Sequence, residues 1–262
     1  MPVTKARWAA FCLACLLLLV RATAPVMTQA PARFQEGLVH GFLKVSTLNG
    51  APLADGDLVQ TAEGARVTSR LTFRFKDGSL HDETTVFTQD HTLRLVNYHL
   101  VQRGAMFPRP LDMTIDARTG DVVVRYSEDG ATKVERTRLD LKPDIANGLI
   151  LAILKNARAG AAPTSFSYVA ATPKPQLVTL QISSAGEVPF ATGAMSRNAV
   201  HYVIKVHIGG VTGLLADVFG KAPPDSHVWI LGGDAPAFVK SEQTFYVGGP
   251  IWRLELVSPE WR

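Results

Sequence analysis

Residues 64–78, Gly64-Ala-Arg-Val-Thr-Ser-Arg-Leu-Thr-Phe-Arg-Phe-Lys-Asp-Gly78 (GARVTSRLTFRFKDG), decide the fold class. Val67, Ser69, Leu71, Phe73 and Phe75 occupy one parity, while Thr68, Arg70, Thr72, Arg74 and Lys76 occupy the other. A period of two puts an apolar side inward and a charged side outward, the pattern of a strand in a sheet with one wet face. Asp77-Gly78 then supplies a hairpin turn.

Strand-like runs continue outward from this stretch at hairpin spacing. They are residues 80–88 and 92–102 around Gln89-Asp90-His91, then 111–115 and 121–126 around Asp116 to Gly120, then 133–141 after Glu128-Asp129-Gly130. The strand period begins at Glu36, so about seven antiparallel strands pass before any helix, a meander rather than βαβ units. The spacing of Ile145, Leu149, Ala152 and Ile153 predicts a helix over 143–156, with Asp144 as its cap and Lys155 and Arg158 suiting its C-terminal dipole. That segment is apolar nearly all round and is expected to be buried inside the curve of the sheet. Strands resume at 165–170, 176–183 and 199–208. Val211, Leu214, Leu215, Val218 and Phe219 then predict a second, short helix that Gly220 and Pro223-Pro224 stop. Closing strands are expected at 227–231, 238–246 and 251–257.

Composition fits one β-rich domain. The chain has 262 residues, 47% of them apolar, and its 21 Gly and 16 Pro fall well short of a low-complexity chain. Lys5 and Arg7 precede the apolar run Trp8–Val20, thirteen residues long. A bilayer core takes about 20, so residues 1–24 read as a secretory signal peptide cut after Ala22 or Ala24. Residues 25–35 read as a Pro/Ala-rich linker, and 36–258 as a single β-rich domain. Both cysteines, Cys12 and Cys15, lie in the leader, so the mature chain is expected to have neither a disulfide nor a thiolate. Loss of the leader removes Lys5, Arg7 and Arg21 and no acid, leaving 24 basic and 23 acidic residues. A net charge of +1 gives no reason to expect a nucleic-acid partner. The expected location is periplasmic or extracellular, with no transmembrane span after cleavage.

A hairpin centred on Asp90 would make His81 face His99 and Glu83 face Asn97, and His81, Glu83 and His99 on one face could hold a transition metal. A polar outer hairpin face explains the same residues, and a one-residue slip destroys the alignment. His201 and His207 share a face but lie about 20 Å apart along a strand, too far to chelate one ion. The sequence has no Gly-x-Ser-x-Gly elbow and no Gly-rich phosphate loop, Ser79 reads as a turn serine, and no cofactor is expected. Phe73, Phe75, Tyr202, Trp229, Phe245 and Trp252 fall on strands whose inner faces would line a half-barrel. They read as core or as the wall of a pocket for an apolar ligand, with Asn147 a further cavity candidate in an otherwise apolar segment.

The runs Phe75-Lys-Asp77-Gly78-Ser79-Leu80, Gln89, His99 to Phe107-Pro108, Pro143-Asp144-Ile-Ala-Asn147-Gly148, Leu154-Lys155-Asn156 and Gly248-Gly249-Pro250-Ile251-Trp252-Arg253 resemble an uncharacterised family of exported bacterial β-rich proteins. That family has no settled activity to carry over. More distantly, the order strands, helix, strands is similar to LolA-like half-barrel domains of unknown function, in which a curved antiparallel sheet wraps around helices and leaves an apolar cavity. The expectation is therefore a mainly β chain, a curved antiparallel half-barrel or barrel-like sheet around one buried helix, with a second short helix. Its expected function is non-enzymatic binding of a lipid-like ligand or an envelope partner. A metal protein or metal-dependent enzyme using His81, Glu83 and His99, and a structural envelope component, are the alternatives.

Overall fold

The structure is a computed structural model that describes residues 29–128, 130–192, 195–208 and 223–257. The first half contains β1 (Val39–Thr47), β2 (Pro52–Glu63), β3 (Arg66–Phe75), β4 (Leu80–Gln89), β5 (Leu93–Arg103), β6 (Leu111–Asp116), β7 (Asp121–Glu128) and β8 (Ala131–Arg138). After α1 (Ile150–Asn156) come β9 (Thr164–Ala170), β10 (Gln176–Thr192), β11 (Met195–His207), β12 (Ser226–Leu231), β13 (Ala237–Gln243) and β14 (Trp252–Val257). Among the described residues these fourteen strands form one antiparallel sheet in the order β8-β7-β6-β5-β4-β3-β2-β1-β14-β13-β12-β11-β10-β9. The chain is mainly β, as its alternation implies.

Every sequence-adjacent pair of strands is also a spatial pair except β8 and β9, which form the two edges. The first and last strands join instead, with Val45 opposite Leu254 and Thr47 opposite Trp252. The sheet therefore stays open at β8 and β9, and the segment carrying α1 runs between those edges. One apolar cluster unites both wings. It holds Leu95, Met113, Ile115 and Val124 from one side, Phe166, Val169, Ile182 and Ile230 from the other, and Leu149, Ile153 and Leu154 from the helical segment. An antiparallel sheet can bring both wings onto one cluster only by curling, so its apolar face is concave and α1 fills part of the hollow.

β3 keeps its sequence-derived parity. Val67, Phe73 and Phe75 are buried, while Arg70 on the outer face donates to both oxygens of Asp82, at 3.0 and 2.5 Å. The adjoining β2 carries Gly56 where Phe73 sits opposite, and a Cβ there would lie 2.4 Å from the Phe73 ring. The absent side chain makes room for the aromatic one.

The helix is shorter than its spacing implies. α1 begins at Ile150, its cap is Leu149 with no side-chain hydrogen bond, and Asp144 does not cap it. Two features stop the helix extending back to Pro143. Gly148 has φ +69°, which breaks a right-handed helix. The residues before it are spent on the β9 edge: Ile145 bridges Ser167, and the Ala146 N–H donates to the Ser167 carbonyl at 2.8 Å. Asp144 takes a 3.4 Å hydrogen bond from the Ser167 hydroxyl instead. The second helix expected over 211–219 lies outside the described residues.

Residues 29–35 are tied to one end of the sheet. Pro31 bridges Thr92, and Leu93 N–H donates to the Ala30 carbonyl at 2.9 Å. Asn156, buried at the end of α1, accepts the N–H groups of Arg33 and Phe34 at 2.6 and 2.7 Å. Its amide nitrogen donates to the Ala152 carbonyl, so one polar side chain joins the helix to the leading segment.

Candidate functional site

The hollow between the sheet and α1 is not filled. A chamber of about 240 Å³ lies against the inner faces of β2 to β5, α1, β13 and β14. A second cavity of about 400 Å³, walled by Val178, Leu180, Ile204 and Val206, adjoins it. The two share Ile150, Tyr168, Ala171, Gln243, Thr244 and Phe245 in their walls. A third cavity of about 320 Å³, lined by Ile153, Phe166, Ile182 and Tyr202, lies at the other end of α1.

The chamber is polar on one wall because β4 turns an unusual face inward. His81, Glu83, Thr85 and Phe87 alternate along that face and line the chamber. The Gln102 amide donates to His81 Nδ1 at 3.1 Å and to the Phe245 carbonyl at 2.6 Å. A ring nitrogen that accepts leaves the proton on Nε2, which lies 3.8 Å from Glu83 Oε2. The Tyr98 hydroxyl donates to the same Glu83 oxygen at 3.3 Å. Burial pushes the Tyr98 and Tyr168 phenols well above their ordinary ionisation range, and the charge of Glu83 adds to the effect. Both therefore stay as neutral hydroxyls.

The chamber's cation is already committed. Lys155 of α1 forms an ion pair with Glu36, whose other oxygen accepts from Gln60 at 3.0 Å and whose backbone is held on both sides by Gln89. In the chamber wall supplied by β13, the Ser241 hydroxyl is buried and has no hydrogen-bond partner among the described residues. A buried hydroxyl left unpaired costs about 1–3 kcal/mol.

The seven cavity candidates read from the sequence separate into five places. Phe73 and Phe245 line the chamber, with rings 5.3 Å apart. Phe75 and Trp252 pack beside them in a second apolar cluster with Phe107 and Val45, as core rather than cavity wall. Tyr202 lines the separate third cavity. Asn147, fully buried, is occupied with the β9 edge: its amide donates to the Val169 carbonyl at 3.0 Å and its oxygen accepts the Val169 N–H at 2.8 Å. It lines none of these three cavities.

Trp229 points the other way. It alternates with inward Val228 and Ile230, stacks on His201 at 4.4 Å, and lies under the Lys240 ammonium at 4.3 Å on the outer face. His227, unremarked in the sequence, meets His201 there at 2.9 Å. Burial, then the neighbouring His227 and Lys240, hold the His201 imidazole below its ordinary range. A base with a depressed folded-state pKa contributes stability that is present above its unfolded value of about 6.5 and is lost as pH falls below it. Acidification is thus expected to loosen this stack, with a Trp229 fluorescence change centred below about pH 6.5. The change should be absent in His201→Phe. A midpoint at or above the ordinary histidine value would contradict the geometry.

The proposed ligand triad is not assembled. His81 faces Gln102 and Thr84 faces His99, so facing residues sum to 183 over this part of the hairpin rather than 180. An odd offset reverses parity. His99 consequently lies on the outer face, 3.0 Å from Asp112, while His81 and Glu83 point inward. A bulge at Val86/Phe87 accounts for one residue of the offset. Among the described residues no three His, Cys, Asp or Glu side chains come together as a metal-holding group.

No family model matches the chain. No curated protein matches it either. Among solved structures it is similar to a beta-barrel-like protein of domain of unknown function DUF1849 from Brucella abortus, at 8% identity and a TM-score of 0.45, over 87% of this chain and 100% of that one. No helix among the described residues is long and apolar enough to cross a membrane.

Proposed function

We propose that the protein is an exported, non-enzymatic binding protein that takes a lipid-like ligand into the hollow of its sheet. The observation that carries this reading is the pair of adjoining cavities, about 240 and 400 Å³, between the concave face and α1. Cavities of roughly 300–1,000 Å³ with apolar walls and a few convergent polar groups are the usual form of a small-molecule site. The resemblance of the strand–helix–strand order to LolA-like half-barrels agrees with this use of the hollow, and the leader-like residues 1–24 agree with export.

The test is direct. Solvent extraction of the purified protein followed by mass spectrometry should recover an amphiphile, and a fluorescent alkyl probe should bind the emptied protein. Ala171 stands in the walls of both cavities. Ala171→Phe is therefore expected to weaken probe binding about tenfold or more, while any overpacking penalty stays near 1–3 kcal/mol. Recovery of no apolar molecule, together with no probe binding, would remove this reading.

A further inference from the structure

Resting on the ligand-binding reading, we infer which polar end the ligand carries: a non-anionic head that donates hydrogen bonds, a hydroxyl or an ammonium, seated between Glu83 and Ser241. The adjoining cavity supplies the tail site. Val178, Leu180, Ile204 and Val206 wall it, and it meets the chamber at Tyr168, Ala171 and Phe245. A ligand spanning both cavities places its polar end against the β4 wall.

Three observations fix the sign of that end. Glu83 presents a carboxylate to the chamber, and its described partners are the Tyr98 hydroxyl at 3.3 Å and His81 Nε2 at 3.8 Å. A carboxylate has room for about four hydrogen bonds, so it retains accepting capacity toward a ligand. Lys155, the lysine of the chamber wall, is held by Glu36, and no arginine is among the described lining residues. An anionic head would therefore meet a like charge, with no unpaired lysine or arginine among the described lining residues to offset it. Ser241 is the independent observation: it lines the same chamber from β13, and its hydroxyl is buried with no hydrogen-bond partner among the described residues. A hydroxyl or ammonium head bonded to Glu83 and Ser241 satisfies both groups at once, whereas a carboxylate or phosphate head opposes Glu83.

Three probes sharing one twelve-carbon tail separate the possibilities by titration calorimetry below their micelle concentrations: 1-monolauroylglycerol, dodecylamine and laurate. The delipidated wild-type protein is expected to bind at least one of the first two about tenfold more tightly than laurate, the scale of a charge-assisted hydrogen bond. Preference for the glycerol ester identifies a polyol head, and preference for the amine an ammonium head. Glu83→Gln keeps the shape, removes the charge, and should shrink the margin over laurate to less than about threefold with an unchanged melting temperature. Ser241→Ala should weaken the preferred probe without affecting laurate. Equal or tighter laurate binding to the wild type, or a margin unchanged in Glu83→Gln, overturns this inference and leaves the ligand-binding reading standing. Binding of none of the three probes overturns both.

Discussion

Gly148→Ala is expected to lower the unfolding free energy by about 2–5 kcal/mol, a large part of the total for a domain of ordinary stability. Two separate effects combine at this position. The backbone has φ +69°, a conformation costing an L-residue about 1–2 kcal/mol more than glycine. The added Cβ would also stand 1.9 Å from the Thr85 Oγ1 and 2.8 Å from its Cβ and Cγ2. Thr85 is itself buried on β4 beneath the helical segment, so it has little room to retreat. A second substitution separates the effects. Thr85→Ala in the Gly148→Ala background removes the collision and should restore roughly half of the loss, because the two residues touch and their effects are not additive. Urea melts of the four proteins give the coupling. A Gly148→Ala protein as stable as the parent would mean that the segment before α1 does not approach β4 as described.

Asn147→Ala should cost about 2–4 kcal/mol, since it strands both the N–H and the carbonyl of Val169 in a buried place. Those groups belong to an edge strand whose outward side has no neighbouring strand among the described residues. The Asn147 amide offers them one donor and one acceptor, as a paired backbone would. Asn147→Asp adds a test of the arrangement. The substituted carboxylate keeps an acceptor for the Val169 N–H but loses the donor for its carbonyl, and burial raises its folded-state pKa above the ordinary value of about 3.9. A raised folded pKa means protonation favours the fold. This variant should be least stable at neutral pH and should recover relative to the parent as pH falls toward 4. Thermal melts at several pH values check it, and a pH-independent deficit would count against the buried amide pairing.

The sequence made the β3 stripe legible because it follows one rule, apolar in and polar out, with Ser69 the one exception on the inward side. β2 escapes that rule. Its inward positions include Gly56, which is small because Phe73 lies over it, so the chain's own complementarity erased the alternation. β4 misleads in a different way. Its two parities, His81-Glu83-Thr85 and Asp82-Thr84, are equally polar, and periodicity alone cannot choose between them. Phe87, on the same parity as His81 and buried, is the residue that points to the correct side. The hairpin register failed because the bulge at Val86/Phe87 leaves no mark in composition. The helix was overextended because the segment before it is apolar for another reason, packing beneath the sheet while Gly148 turns the backbone. The polar chamber was invisible because it depends on Glu83 and Ser241, 158 residues apart in sequence, meeting one hollow.

The pairing of β1 with β14 has a consequence for how the molecule is made. During synthesis the flank of β1 that awaits β14 is among the earliest strand edges to leave the ribosome and among the last to find its neighbour. Folding of the amino-terminal half alone leaves that flank bare, an invitation to pair with the wrong chain. Nascent chains stalled before Trp252 should consequently clump or recruit holding chaperones, whereas chains that carry β14 can zip the seam shut.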